Sequence, residues 1–269
     1  MIAQPTLEAV KDRQRATWSS GDYTRIAAVT VPLGDVLCDA VDLRSGARVL
    51  DVATGTGHVA LAAARRFCDA TGVDFVPALL EVARARAEAE NFDVEFRVGD
   101  AEELPFEPGS FDYVLSAIGV MFTADHARAS RELTRVCRPG GTVGVLSWTP
   151  GGFVGEMLRT VAGHVALPPG VEPPTRWGTA DYVSELFGEE VADNSFAQGA
   201  ITVRFPSLAF FADFFLEHYG PTRNAAEALG DEGREALRTD LTELAERRSR
   251  IDGAAVSDWE YLIAIARRA

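Results

Sequence analysis

Apolar and polar positions along the middle of the chain follow two alternating periods. Between about residues 46 and 148, short β-branched or apolar runs are separated by longer segments with helical spacing, which is typical of a parallel sheet covered by helices on both faces. The apolar runs predict five strands, at Ala47–Ala53, Asp69–Asp74, Val94–Gly99, Phe111–Ala117 and Gly141–Trp148. The segments between them predict helices at His58–Phe67, Pro77–Glu90 and Asp125–Cys137. This order of elements predicts a doubly wound α/β sheet.

The pattern changes on either side of this region. Residues 5–43 carry two helical patterns, and residues 149–178 are rich in proline and glycine. Beyond them the spacing predicts a short helix at Asp181–Phe187, a strand at Phe196–Phe205, two or three helices over residues 207–250 and a last strand at Asp258–Arg267. We interpret residues 1–269 as one domain, with an N-terminal helical cap over 1–45, a ligand-binding core over 46–148, and a helical lid insertion with the last two strands over 149–269.

Composition and charge exclude several classes of protein. The chain is 47% hydrophobic and has no apolar stretch near the ~20 residues that cross a bilayer, so we expect a soluble protein without a membrane span. Its formal net charge of −14 disfavours a nucleic acid partner. Only Lys11 among the 26 cationic residues is a lysine. Three separated cysteines and no legible secretory signal favour a cytoplasmic protein, and the spacing of cysteine and histidine predicts no metal site.

A glycine-rich loop joins the first predicted strand to the first predicted helix of the core. The segment Val49–His58 reads VLDVATGTGH, and its Gly55 and Gly57 let a ligand approach backbone amides at a helix N-terminus. Asp74 ends the second strand, where a carboxylate can accept hydrogen bonds from a ribose diol. Enzymes that use NAD and enzymes that use an adenosyl cofactor share this arrangement, and Gly55-x-Gly57-x-x-Ala60 also fits the dinucleotide fingerprint.

Four motifs in order distinguish these two cofactors. They are VLDVATGTG, GVDF, GDAEELPFEPGSFDYV and ELTRVCRPGGTV. Together they resemble the class I S-adenosylmethionine (SAM) dependent methyltransferases, and within them the group similar to ubiquinone/menaquinone-biosynthesis methyltransferases, over about residues 46–148. The resemblance implies a Rossmann-like, seven-stranded, mostly parallel sheet with N-terminal helices and a helical lid insertion. It also implies SAM as the cofactor and S-adenosylhomocysteine as the product.

The resemblance further implies which residues contact the cofactor. These are Asp51, Gly55, Thr56, Gly57, Asp74, Phe75, Asp100, Ala101, Glu102, Ser116 and, from the N-terminal segment, Tyr23. The glycines would admit the methionine and ribose, Asp51 would orient the loop, and Asp74 would hold the ribose hydroxyls. Asp100 would accept from the adenine amine, with the Ala101 amide on a ring nitrogen. The chain departs from the family at Ala53, where many members have a glycine.

The methyl acceptor is less clearly indicated. We expect a small molecule, and an apolar one if the helix with Phe210, Phe211, Phe214 and Phe215 walls its pocket; core packing is the other interpretation of that helix. His126 is a candidate general base near neutral pH, or else an ordinary first-turn helix residue. Trp148 is equally open to pocket lining or packing. Two functions remain as alternatives, an NAD-dependent oxidoreductase and a SAM-binding protein that transfers no methyl group. The sequence does not indicate the oligomeric state.

Overall fold

Seven strands form one sheet in the computed structural model, which describes residues 6–168 and 170–269. The strands are β1 (Arg48–Val52), β2 (Asp69–Asp74), β3 (Glu95–Val98), β4 (Phe111–Ala117), β5 (Cys137–Trp148), β6 (Val191–Phe205) and β7 (Ala255–Arg268). Their order across the sheet is β3-β2-β1-β4-β5-β7-β6. The first five strands are parallel, whereas β7 is antiparallel to both β5 and β6. The predicted doubly wound, mostly parallel sheet is confirmed.

Helices cover the sheet and extend from it at both ends of the chain. They are α1 (Leu7–Trp18), α2 (Tyr23–Thr30), α3 (Pro32–Ala40), α4 (His58–Arg65), α5 (Pro77–Ala89), α6 (His126–Val136), α7 (Phe153–His164), α8 (Ala180–Phe187), α9 (Leu208–His218) and α10 (Gly220–Arg248). A turn of 3₁₀ helix at Val120–Phe122 follows β4. Helix α10 bends at Gly230, whose φ of 69° interrupts the helical backbone.

Several predicted boundaries were wrong outside the parallel core. The N-terminal segment forms three helices rather than two, because Pro32 begins α3 directly after α2. Helix α7 lies in the segment interpreted only as rich in proline and glycine. Strands β6 and β7 begin at Val191 and Ala255, earlier than predicted. The two strands pair along their whole length: the first residue of β6, Val191, lies opposite the last of β7, Arg268, and the last of β6, Phe205, lies opposite the first of β7, Ala255.

Three of the four α9 phenylalanines pack in or against the core beside β6 and β7. Phe211 and Phe215 are buried, Phe214 packs against them, and the ring of Phe205 packs edge to face on Phe211 with centroids 5.4 Å apart. Phe210, at 47% exposed, faces solvent. None of the four lines either of the two cavities described below. The interpretation of this helix as core packing is therefore correct.

The strand order fixes where a ligand can bind. Strand β1 pairs with β2 on one side and with β4 on the other, so the chain reverses direction across the sheet between β1 and β4. Open α/β sheets bind ligands at the carboxyl ends of the strands beside such a point. The ends of β1, β2 and β4 carry Val52, Asp74 and Ala117.

Candidate active site

Asp51 fixes the loop between β1 and α4. Its carboxylate accepts hydrogen bonds from the Thr54 hydroxyl at 2.5 Å and from the Ala60 amide at 2.9 Å. Burial raises the pKa of the Asp51 carboxyl to about 7, although both hydrogen bonds favour the ionised form. Asp51 therefore joins the strand, the loop and the first turn of α4.

Ala53 has a left-handed backbone conformation, with φ of 54°. This is the position where the family commonly has glycine, the residue that adopts such a conformation without strain. The alanine methyl is accommodated by Gly119, since a Cβ at Gly119 would lie 2.7 Å from the Ala53 Cβ. The alanine at position 53, where the family motif has glycine, is thus accommodated by a glycine at position 119, after β4.

Asp74 ends β2 with its carboxylate at the same edge of the sheet. One oxygen accepts a hydrogen bond from the Gly55 amide at 2.8 Å, and the other accepts from the Val76 amide at 2.9 Å. Burial raises the pKa of Asp74 to about 6, although the two hydrogen bonds by themselves would lower it. Because a carboxylate has about four lone-pair sites, each oxygen retains capacity to accept from a ligand.

A cavity of about 660 Å³, part of it open to solvent, lies at the carboxyl ends of the parallel strands. Seven of the residues named from the sequence line it: Tyr23, Gly55, Asp74, Phe75, Asp100, Ala101 and Glu102. Asp51 and Thr56 line an adjoining cavity of about 420 Å³ that shares Tyr23 and Gly55 with the first. Nine of the eleven positions are therefore brought together around one edge of the sheet.

Gly57 and Ser116 line neither of these two cavities but stabilise the segments that do. Gly57 has φ of 86°, and a Cβ there would lie 3.2 Å from the Ala83 Cβ and 3.3 Å from the Phe96 ring. The glycine is required by its backbone conformation and by the packing of α5 and β3. The buried Ser116 hydroxyl donates to the Val52 carbonyl at 2.7 Å and accepts from the Val120 amide at 3.1 Å. It thereby holds the 3₁₀ turn against β1.

Lys11 is a cavity residue that the sequence reasoning missed. Its ammonium, on α1, lies 2.6 Å from an Asp100 oxygen and 2.7 Å from a Glu102 oxygen. Burial alone would lower the pKa of Lys11, but its hydrogen bonds to these carboxylates outweigh that and raise the pKa. The other Glu102 oxygen accepts from the amides of Ala124 and Asp125 at 2.8 and 2.9 Å. The available signal was that Lys11 is the single lysine of the chain.

His126 does not line the cavity at the strand ends. Its Nε2 lies 3.1 Å from the Met121 carbonyl oxygen, and its Nδ1 lies 3.0 Å from the Tyr182 hydroxyl. Burial lowers the pKa of the imidazole. Trp148 is also buried and packs edge to face on Trp259, with ring centroids 5.8 Å apart. Neither residue lines this cavity or the second cavity described next.

A second cavity adjoins the first on the side of α1. It encloses about 1650 Å³, including space open to solvent, between α1, α7, the start of α10 and residues near Pro174. Gln14, Trp18, Phe122 and Thr123 line both cavities and form their common wall. We call this second cavity the groove.

Comparison with known proteins identifies the family. A family model described as a methyltransferase domain matches residues 49–141. An uncharacterized protein of Mycobacterium tuberculosis is 43% identical over 274 residues, across 99% of both chains. A demethylmenaquinone methyltransferase of Thermus thermophilus is 44% identical over 116 residues, which are 41% of this chain and 53% of that protein. The chain belongs to the class I SAM-dependent methyltransferases.

The family prediction drawn from the four motifs is confirmed. Among solved structures, the YcgJ protein from Bacillus subtilis superposes on this methyltransferase with a TM-score of 0.60 at 20% identity, over 88% of this chain and 98% of that one. At that identity the superposition supports the fold alone. In the described part of this methyltransferase, no helix is long and apolar enough to cross a membrane, and no cluster of three or more histidine, cysteine or acidic residues could hold a metal ion.

Proposed function

We propose that this methyltransferase transfers the methyl group of SAM to a small-molecule acceptor. The observation that carries the proposal is the cavity at the ends of β1, β2 and β4, with the Asp74 carboxylate beside Gly55. Gly55 has φ of 53° and only the Tyr23 ring within 4 Å of a Cβ built on it, so it leaves room for a ligand against the backbone. A buried carboxylate, an open backbone and flanking aromatic rings suit the ribose and adenine of a nucleoside.

Each side chain has a distinct part in this proposal. Asp74 accepts from the ribose hydroxyls, Asp100 accepts from the adenine amine, and the Ala101 amide donates to a ring nitrogen. Phe75 flanks the adenine, while Asp51 and Thr56 border the space for the methionine portion. When bound, SAM supplies an electrophilic methyl group on a positively charged sulfur. Asp51 and Asp74 add negative charge near this cation when they are ionised.

The wall between the two cavities indicates how the acceptor reacts. Gln14, Trp18, Phe122 and Thr123 carry no group that ionises near neutral pH, and both His126 nitrogens are engaged elsewhere. The residues here can place an acceptor lone pair in line, ~3 Å from the methyl carbon, and exclude water. Transfer would leave the electron pair of the carbon–sulfur bond on sulfur, and an amine acceptor would release its proton to solvent. We infer that the wall supplies no general base, which suits an acceptor that is already an anion or a free amine; Asp74, which lines the cavity at the strand ends, is assigned to the cofactor in this proposal.

Calorimetry with S-adenosylhomocysteine tests the cofactor assignment. Asp74→Asn weakens the acceptor for the ribose hydroxyls, and loss of one charge-assisted hydrogen bond of roughly 1.5–3 kcal/mol should raise Kd roughly 10- to 150-fold. Asp69→Asn is the matched control, because Asp69 is exposed at the opposite end of the same strand and should leave Kd unchanged. NADH is titrated in parallel. Absence of binding at millimolar S-adenosylhomocysteine, or preference for NADH, would overturn the proposal.

Turnover separates methyl transfer from cofactor binding alone. Candidate acceptors are screened with SAM carrying an isotopically labelled methyl group, and the labelled product is detected by mass spectrometry. A labelled acceptor supports the transferase. Tight binding of S-adenosylhomocysteine without transfer to any acceptor across broad libraries would favour a SAM-binding protein instead.

A further inference from the structure

The groove has a largely apolar lining that reaches the surface. Leu158 and Val161 of α7 and Val171 line it and are half-buried. Val165 and Leu167, which follow α7, line it while 36% and 43% exposed, so apolar side chains face solvent at its opening. Exposed apolar surface around a concavity is typical of a ligand site. Without the open solvent in front of it, the groove has a volume of about 500 Å³, which is within the 300–1000 Å³ usual for a drug-sized ligand.

The groove shares a wall with the cavity at the carboxyl ends of the strands, which we propose for SAM and call the cofactor cavity. The Gln14 side-chain amide donates to the Phe122 carbonyl at 2.9 Å, and the rings of Trp18 and Phe122 pack edge to face with centroids 4.9 Å apart. These contacts join α1 to the turn after β4. A molecule lying in the groove therefore has one end beside the cavity that we assign to SAM.

The opening of the groove carries positive charge. Arg13 of α1 and Arg159 of α7 both line it and are exposed, and neither has a carboxylate within 4.0 Å among the described residues. Arg159 donates one hydrogen bond to the Pro150 carbonyl. The carboxylate of Glu172, which also lines the groove, is paired with Arg176 at 2.6 Å. In a chain of net charge −14, this rim is complementary to an anion.

One buried hydroxyl in the wall of the groove is left without a partner. Thr222, at the start of α10, is fully buried, and its Oγ1 makes no hydrogen bond with any described residue. The neighbouring polar groups are satisfied, since the Asn224 amide donates to the Thr17 hydroxyl at 3.2 Å. Buried polar groups are almost always paired, so the unpaired Thr222 hydroxyl is an exception within the wall of the groove, although it is not itself exposed to the groove.

We propose that the groove is the acceptor site and binds an elongated amphipathic molecule. Its hydrocarbon body lies along α7 and the residues that follow, its anionic group contacts Arg13 and Arg159 at the rim, and its nucleophilic atom reaches the wall of Trp18 and Phe122. The inference rests on the proposed function only in taking the neighbouring cavity as the binding site of SAM. The same anionic chemistry could be supplied by a carboxylate or by a phosphate.

Matched amphiphiles test this class of acceptor. The probes are dodecanoate, dodecyl phosphate and 1-dodecanol, titrated below their micelle concentrations into protein saturated with S-adenosylhomocysteine. At least one anion should bind roughly fivefold or more tightly than the alcohol, because two exposed charge contacts favour the anion. The tighter of the two anions identifies carboxylate or phosphate. Equal binding of all three probes would overturn the anionic part of the proposal.

Two variants locate the binding. The double substitution Arg13→Gln and Arg159→Gln should remove the preference for the anions and leave 1-dodecanol unaffected, whereas Arg204→Gln, on the exposed strand β6, should change neither. Ala162→Phe fills the groove and should weaken all three probes more than tenfold; Ala236→Phe, at an exposed site on α10, is its control.

The affinity for S-adenosylhomocysteine separates the two proposals. If wild type and Ala162→Phe both bind S-adenosylhomocysteine normally and only the variant loses the probes, the groove is supported as the acceptor site. If both bind S-adenosylhomocysteine normally and Ala162→Phe does not weaken the probes, the acceptor site is not the groove, and the cofactor assignment is unaffected. A wild type that binds the probes but not S-adenosylhomocysteine overturns the proposed function instead.

Discussion

Replacing Lys11 by methionine tests whether α1 is bound to the cofactor cavity through charge. Methionine retains most of the length of the side chain and removes the ammonium. In the wild type, that ammonium lies within 2.7 Å of both Asp100 and Glu102. The substitution leaves two carboxylates side by side without their common cation.

The expected destabilisation follows from the burial of each carboxylate. The Asp100 side chain is 30% exposed and can regain water, but that of Glu102 is only 2% exposed, and its Oε2 then has no partner. Removing one member of a buried ion pair costs about 3–5 kcal/mol, and the partial exposure of Asp100 places the loss near about 3 kcal/mol. In a protein of this size that corresponds to a decrease in Tm of about 6 °C.

Urea unfolding followed by tryptophan fluorescence measures the loss. Because hydrogen bonding raises the pKa of Lys11, its contribution is complete below the ordinary value of 10.5 and is lost only as the pH rises above it. The destabilisation should therefore be equal at about pH 7 and about pH 9.

A double-mutant cycle provides the control. Glu102→Gln removes the buried charge, so the Lys11→Met and Glu102→Gln double variant should be more stable than the sum of the single changes, by about 2 kcal/mol. The result that would refute the reasoning is an additive cycle, or a Lys11→Met variant within about 0.5 kcal/mol of wild type.

Two further predictions concern the strand ends. Burial raises the pKa of Asp51 to about 7 and that of Asp74 to about 6, so the free energy of unfolding of the free protein should fall as the pH rises from about 4 to 7. Over the same range, affinity for S-adenosylhomocysteine should rise as the two carboxylates ionise. Calorimetry measures both quantities, and a stability and an affinity that do not change with pH would contradict the prediction. Gly119→Ala should destabilise by about 1–3 kcal/mol through overlap with the Ala53 methyl. Ala53→Gly should restore only part of that loss in thermal unfolding, because the Ala53 carbonyl oxygen and the Ser116 hydroxyl would still lie 2.7 and 2.9 Å from the added methyl; no restoration would mean that the Ala53 methyl does not contribute to the loss.

The parallel core could be predicted because its signals are local. Strands β1, β2 and β4 are buried over most of their length and appear as short runs of apolar, β-branched or small residues, and the turn after β1 requires glycines within a few residues. Asp74 could be named from its place at the end of β2, whereas Asp100, which follows β3, was named from the resemblance to the methyltransferase family.

The elements that were missed depend on distant partners. The first half of β6 is mostly exposed and includes Asp193, Asn194 and Ser195, so no apolar alternation marks it; pairing with β7 makes it a strand. Helix α7 starts after Gly152 and contains further glycines, which conceal it in sequence, but Phe153 and Met157 are buried in the core. The contact of Lys11 with Asp100 spans 89 positions, and no local pattern encodes it.

Helix α1 connects the two cavities through its periodicity. Lys11, Gln14 and Trp18 lie at i, i+3 and i+7, one face of a helix, and all line the cofactor cavity. Val10, Arg13 and Thr17 have the same spacing one residue earlier and line the groove. Helix α1 therefore lines the cofactor cavity with one row of side chains and the groove with the adjacent row, and Gln14 and Trp18 line both. Because Lys11 binds this helix to Asp100 and Glu102, loss of that ion pair should loosen the wall of the groove as well as the cofactor cavity. Retention of the cofactor and choice of the acceptor would then depend on the same twelve-residue helix.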